Sequence, residues 1–194
     1  MKKIILASTS PRRKEILEQI GLEFDIVPSS YKEDMSVLQQ PEELAKYLAK
    51  QKGKAVSHVY DGASAVIISA DTLVAVNGYI LGKPSSKEHA RQMLQKLSNS
   101  THHVYTGVCI IDTELQESTV FSSSAAITMR NLSANEIDRY IETGEPMDKA
   151  GGYGIQGIAS MFVTSIEGDY YSIVGLPVQK VVSVLRRYGI KILM

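Results

Sequence analysis

Arg12 and Arg13 follow directly on the apolar run Ile4-Ile5-Leu6-Ala7 and the polar stretch Ser8-Thr9-Ser10-Pro11. Two cations in the first turn of a helix oppose its dipole unless an anion compensates them. The free N–H groups of that turn favour phosphate, and each guanidinium adds a fork that matches its oxygens. Lys52 is a second unusual cation. It completes the row Leu44, Leu48, Lys52, Val56 at steps of four, sharing one helix face with aliphatic side chains. A lysine facing inward must snorkel, pair with a carboxylate or reach a ligand. Lys83 is the third, in Leu81-Gly82-Lys83-Pro84, where the proline stiffens the backbone. The acidic counterpart is Asp71, read as the end of an apolar strand, where α/β proteins gather their ligands. Glu33 and Asp34 add carboxylates in an irregular segment. Phosphate grips and carboxylates without a P-loop indicate metal-assisted phosphoanhydride chemistry. A divalent ion bridges phosphate oxygens while a carboxylate orients or deprotonates water.

These groups must be positioned by surrounding elements. Ile4 to Ala7 reads as a buried strand, followed by a helix with Ser10 at N-cap and Pro11 at N1 that stops at Gly21. Phe24 to Val27 is a second strand, and Pro28 to Gln40 an irregular surface segment. The spacing predicts a helix from Pro41 to about Val59, then strands at Ala65 to Ser69 and Leu73 to Val76. Asn77-Gly78 signals a hairpin before Tyr79-Ile80-Leu81, and Ser86 caps a helix reaching Leu97. His103 to Asp112 and Ser118 to Met129 read as long strands, and Ser133 with Glu136 as a capping box for a helix ending at Gly144. Met161 to Ile166 and Tyr170 to Val174 read as strands, and Pro177 opens a last helix ending near Gly189. The class is α/β: a mixed sheet, rich in antiparallel hairpins, flanked by helices.

Composition narrows the partners. The 194 residues are 44% hydrophobic and carry 21 Lys+Arg against 21 Asp+Glu, which argues against a nucleic-acid coat or a polybasic membrane binder. No apolar run is long enough to span a bilayer, and the short run after Lys2-Lys3 is too brief for a secretion signal. A cytoplasmic location is expected. The single cysteine, Cys109, lies in Val108-Cys109-Ile110-Ile111 and reads as core. His102 and His103 are neighbours on a strand, point to opposite faces and cannot share a metal. Gly152-Tyr153-Gly154-Ile155-Gln156-Gly157 is a literal G-x-G-x-x-G, but a helix precedes it and a strand follows, the reverse of a dinucleotide site. Gly78 to Pro84 is one residue short of a P-loop, with proline where a metal-binding hydroxyl belongs.

Leu6-Ala7-Ser8-Thr9-Ser10-Pro11-Arg12-Arg13, Ala70-Asp71-Thr72 and Leu81-Gly82-Lys83-Pro84 together closely resemble the Maf family of nucleoside triphosphate pyrophosphatases. His102 to Val108, Asp148 to Gly157 and Val174-Gly175-Leu176-Pro177 continue the resemblance in order along essentially the whole chain, as one catalytic domain over 1–194. It implies a fold similar to inosine triphosphate pyrophosphatases, with two lobes around a cleft. The implied reaction cleaves a nucleoside triphosphate to monophosphate and pyrophosphate with Mg²⁺ or Mn²⁺, carried on Glu33 and Asp71. The family's general base falls on Asp71, and its phosphate-binding and catalytic positions fall on Ser8, Arg13, Glu33, Lys52 and Lys83. Asn99 stands where the family usually has glycine, and Gly152 where alanine is commoner.

The resemblance also bears on the base. Arg12, Thr72 and Gln156 match the branch acting on dTTP and UTP rather than the branch preferring 7-methylguanosine triphosphate. Uracil and thymine offer an acceptor–donor–acceptor edge that the Gln156 amide can match in part. A nucleoside triphosphate is the expected partner, with no nucleic acid and no membrane; a homodimer is left open. Two rival readings stand beside nucleotide-pool housekeeping with a role in division arrest. One is a nucleotide-binding regulator of septum formation acting through protein contacts. The other is a phosphatase or kinase acting at the γ-phosphate.

Overall fold

The computed structural model describes residues 2–192. Seven strands form one mixed sheet in the order β2-β1-β3-β5-β6-β7, with β4 paired on β3. Strand β1 (Lys3–Leu6), helix α1 (Pro11–Gln19) and β2 (Asp25–Ile26) make a parallel crossover, and β1 also runs parallel to β3 (Ala65–Val76). A hairpin through Asn77-Gly78, both at positive φ, returns β4 (Tyr79–Leu81) antiparallel to β3. Strands β5 (Thr101–Asp112) and β6 (Glu117–Met129) follow, and β7 (Val163–Gly168) pairs antiparallel with β6.

Helices α2 (Pro41–Ser57), α3 (Lys87–Leu97), α4 (Ala134–Glu142), α5 (Tyr170–Val174) and α6 (Val178–Arg187) complete the chain. The mixed α/β class is therefore observed. None of these helices, among the described residues, is long and apolar enough to cross a membrane.

The chain divides into two compact units, each discontinuous in sequence. The first comprises Met1–Asp71, Thr106–Ser123 and Gly175–Met194; the second comprises Thr72–Tyr105 and Ser124–Val174. In the first, Ile5, Ala7, Val56, Ala65 and Ile67 form a buried cluster with Ile111 packed against it. Helix α2 turns Leu44, Leu48 and Val56 inward, as their spacing predicts. In the second, α3 buries Ala90, Met93, Leu94 and Leu97, α4 buries Ile137, Tyr140 and Ile141, and Arg91 pairs with Asp138 between them. The Ser133–Glu136 capping box is present, and Asn99 takes φ 52, the left-handed conformation its place after Leu97-Ser98 requires.

Three sequence expectations need correction. Ala65 to Ser69 and Leu73 to Val76 are not separate strands but one strand of 12 residues, so Asp71 lies inside it and not at its end. The polar run Ser69-Ala70-Asp71-Thr72 imitates a break. The strand survives because Ser69 donates to the Ala49 carbonyl and Asp71 is paired with Lys52. Tyr170 to Val174 is helical. Asp169 at its start accepts the N–H of Tyr171 at 2.9 Å, and its carbonyl accepts that of Ser172, which outweighs the β-propensity of the aromatic pair. Ser10 does flank α1, but its side chain makes no cap hydrogen bond.

His102 and His103 split as expected: the first is buried, the second exposed. His102 Nε2 lies 2.6 Å from the Tyr153 hydroxyl, and its Nδ1 has no partner among the described residues. Burial pulls its pKa from 6.5 down to about 4. The neutral ring is the folded form, so the unfolded chain binds the extra proton as pH falls from about 6.5 toward 4. Stability should fall over that window by at most about 1.4 kcal/mol per pH unit from this group. Urea unfolding at pH 7 and pH 5 should show this loss, and His102→Gln should flatten it. Equal slopes in both proteins would contradict the assignment.

Candidate active site

Six of the nine residues singled out from the sequence lie in the first unit: Ser8, Arg12, Arg13, Glu33, Lys52 and Asp71. Parallel pairing sets Leu6 against Ile68, and the Ala7 N–H donates to the Ile68 carbonyl at 2.8 Å. The loop that leaves β1 therefore starts beside Ser69-Ala70-Asp71. Ser8 Oγ accepts the N–H of Ser10 at 3.2 Å and Arg13 Nη1 at 3.1 Å, while Arg13 Nε donates to the Gly175 carbonyl at 2.9 Å. Pro11 at N1 puts Arg12 and Arg13 at N2 and N3, as the sequence indicates. Arg13 is thus an aimed group, steered from both sides. Burial lowers its pKa and the nearby Asp71 charge opposes the shift. Arg12, its half-buried neighbour, adds a second positive charge.

Lys52 reaches the sheet because Gly53 beside it lets α2 approach closely. A Cβ on Gly53 would sit 2.6 Å from Ser69 Oγ, too near for any larger residue without movement. The Lys52 ammonium donates to Asp71 Oδ1 and pairs with Glu33 Oε1 at 2.5 Å. Of the three options open to an inward lysine, the structure takes pairing with carboxylates. The Asp71 side chain is only 7% exposed, whereas that of Glu33 is 48% exposed. Burial raises the pKa of Asp71; Lys52 and then Arg13 pull it down, and Glu33 adds a smaller upward push. A carboxylate held this way is a stronger base than an exposed aspartate and is still kept near cations.

Asp71 and Glu33 converge on one ammonium, so their oxygens face a common point. Among the described residues no group of three or more His, Cys, Asp or Glu could hold a metal. Two carboxylates fit a hard cation that completes its shell with phosphate oxygens and water, and they do not fit a closed protein cage.

The other three residues lie in the second unit. Thr72 follows Asp71 in β3 and is half-buried, while Lys83 and Gln156 are exposed. The turn bearing Lys83 is tied to the glycine-rich segment, since Gly151 N–H donates to the Gly82 carbonyl at 3.0 Å. The glycine-rich stretch opens no α-helix; it consists of short 3₁₀ turns at Ala150–Gly152 and Ile158–Phe162 around an irregular piece. Rejecting it as a dinucleotide fingerprint is therefore correct. Cys109 is buried, as its apolar neighbours indicate, and burial raises its thiol pKa to about 11.

Residues 3–188 match the family model described as Maf-like protein. The chain belongs to the Maf family. It is 48% identical over 190 residues to a protein of Bacillus pumilus (strain SAFR-032), covering 98% of each chain. It is 46% identical over 192 residues to one of Bacillus cereus (strain G9842), covering 99% of this chain and 98% of the relative. It is also 48% identical to one of Caldicellulosiruptor saccharolyticus (strain ATCC 43494 / DSM 8903 / Tp8T 6331), covering 97% and 96%. All three relatives carry the name dTTP/UTP pyrophosphatase. The Maf resemblance read from the motifs is thereby established along nearly the whole chain.

Two features of the site escaped the sequence reading. The carbonyl of Gly175 that fixes Arg13 comes from a residue far along the chain, and no local signal announces it. The packing role of Gly53 is visible only once α2 and β3 are adjacent.

If Asp71 accepts a proton in the reaction, activity must fall as pH drops through its raised pKa. The acid limb of kcat/KM should therefore lie above the ~3.9 of an ordinary aspartate, and Asp71→Asn should lose at least ~10² in turnover while remaining folded. A full pH–rate profile with circular dichroism of the variant checks both. Near-normal turnover in Asp71→Asn would sink the assignment.

Proposed function

We propose that this chain hydrolyses dTTP and UTP to the nucleoside monophosphate and pyrophosphate, acting on cytoplasmic nucleotide pools as one catalytic domain. The observation that carries the reading is the largely buried Lys52–Asp71 pair, joined by the half-exposed Glu33, beside the Arg13-bearing start of α1, in a chain close to relatives named for this activity. Water attacks the α-phosphorus, the α–β bridging bond breaks, and pyrophosphate leaves. Asp71 takes the water's proton. Arg12, Arg13, Ser8 and Lys83 bind phosphate oxygens, and the guanidinium forks suit that task. Lys52 orients Asp71 and offsets the negative charge that gathers there. Glu33 and Asp71 would hold the divalent cation, which when bound neutralises phosphate charge. Thr72, Arg12 and Gln156 select the base.

A regulator that only bound nucleotide would not need a buried carboxylate with a raised pKa. A group acting at the γ-phosphate would release orthophosphate or a diphosphate. A nucleotide panel with chromatographic separation of products decides among the three readings. Pyrophosphate and monophosphate are expected, with dTTP and UTP cleaved much faster than CTP or purine triphosphates. Gln156→Ala should erode that preference, because a mismatched base leaves buried polar groups unpaired. Equal efficiency on CTP in the wild type, or a preference untouched by the substitution, would mean that Gln156 does not read the base.

The cation requirement gives a separate test. With two carboxylates and substrate phosphates as ligands, metal is held weakly before substrate arrives. Excess chelator should abolish turnover but leave the melting transition of the nucleotide-free protein almost unchanged. Turnover that persists in chelator would contradict the cation's role.

A further inference from the structure

The segment carrying Gln156 is clamped at both ends by one carboxylate and one phenol, all within the second unit. Glu145 Oε2 accepts the N–H of Ile158 at 3.0 Å, and its Oε1 accepts the Tyr140 hydroxyl at 2.9 Å. That same hydroxyl oxygen accepts the N–H of Gly154 at 3.3 Å. Between the clamps, Gly157 N–H donates to the Gly154 carbonyl at 3.0 Å and closes a tight turn. Gln156 projects from this turn into solvent.

The glycine at 157 serves the same contact. Its φ of −106 is open to any residue, so conformation does not demand glycine there. Space does: a Cβ on Gly157 would lie 2.3 Å from Glu145 Oε1 and 2.6 Å from Oε2. The carboxylate lies flat against the Gly157 Cα. Tyr140 is buried, and burial together with Glu145 pushes its phenol pKa up, so the hydroxyl keeps its proton and donates. The α4 capping box and the ring contact of Tyr140 with Phe162 (5.2 Å between centroids) hold the phenol in place.

We propose that Glu145, acting with Tyr140, is a specificity-positioning residue: it sets the Gly154–Ile158 turn and thereby the direction of the Gln156 amide. The inference rests on the reading that Gln156 recognises the pyrimidine. Glu145 itself needs no contact with the nucleotide. Its effect passes through two backbone N–H groups.

The test measures the ratio of kcat/KM for dTTP to that for CTP in the wild type, Gln156→Ala, Glu145→Ala, Glu145→Gln and Gly157→Ala. General damage lowers both nucleotides together and leaves the ratio alone, whereas misdirection of Gln156 collapses it. Glu145→Ala and Gly157→Ala should lower the ratio by about 10-fold or more, within the range that a lost polar match can supply. Glu145→Gln keeps one acceptor oxygen and should fall between them and the wild type. Adding Glu145→Ala to Gln156→Ala should cost little further, since both act through one amide. If Gln156→Ala collapses the ratio but the Glu145 and Gly157 variants leave it intact, the positioning role is overturned and the base-reading role stands. If Gln156→Ala leaves the ratio unchanged, both are overturned.

Discussion

One ammonium between two carboxylates governs the first unit. Asp71 sits inside a buried strand, where a lone ionised carboxylate would either protonate or destabilise the fold by several kcal/mol. Lys52 opposes both outcomes, but only if α2 lies close enough to β3 for its amine to arrive. Gly53 supplies that closeness, and Ser69 meets α2 with a hydroxyl whose partners are the carbonyls of Ala49 and Cys109. The parallel register of β1 on β3 then brings Ser8 and the start of α1 alongside. Helix packing, strand continuity and the aim of Arg13 all serve one charge balance.

Much of this was legible in the residues. Lys52 betrayed itself by occupying an aliphatic row, and the two arginines by sitting at the wrong end of a helix. Hairpin, capping box and terminal glycine signals are chemical necessities of local backbone geometry, so Asn77-Gly78, Ser133 with Glu136, and Gly144 all read correctly. The errors have different causes. The polar run at Ser69 to Thr72 looked like a strand end because its partners, Ala49 and Lys52, come from another element. Tyr170 to Val174 looked like a strand because its composition favours one, while a single Asp169 decided otherwise. A distant partner explains the first error, and one neighbouring side chain the second.

The glycine-rich segment shows the same limit from the other side. Its spacing matches a phosphate-binding fingerprint, in which glycines let backbone approach an anion. Here too a glycine admits an anion, but the anion is the protein's own Glu145 carboxylate against Gly157. The physical requirement, a Cα with no side chain facing oxygen, is identical in both cases. The motif is therefore ambiguous in principle until the element before it is known, and here that element is α4 and not a strand.

Glu33 completes the argument by its difference from Asp71. It lies in the 28–40 stretch without regular structure, where short-range hydrogen bonds such as Ser36 to Asp34 and Tyr31 to Ser29 stand beside a longer-range one between Tyr31 and Tyr47. Its ion pair with Lys52 joins a half-exposed carboxylate to a largely buried ammonium. Asp71 is fixed by a folded strand, and its surroundings were settled when the core formed. Glu33 is instead half exposed, on a segment without regular structure. The site thus joins a carboxylate fixed in a buried strand to one on an irregular segment, with Lys52 as the common partner that holds the two together.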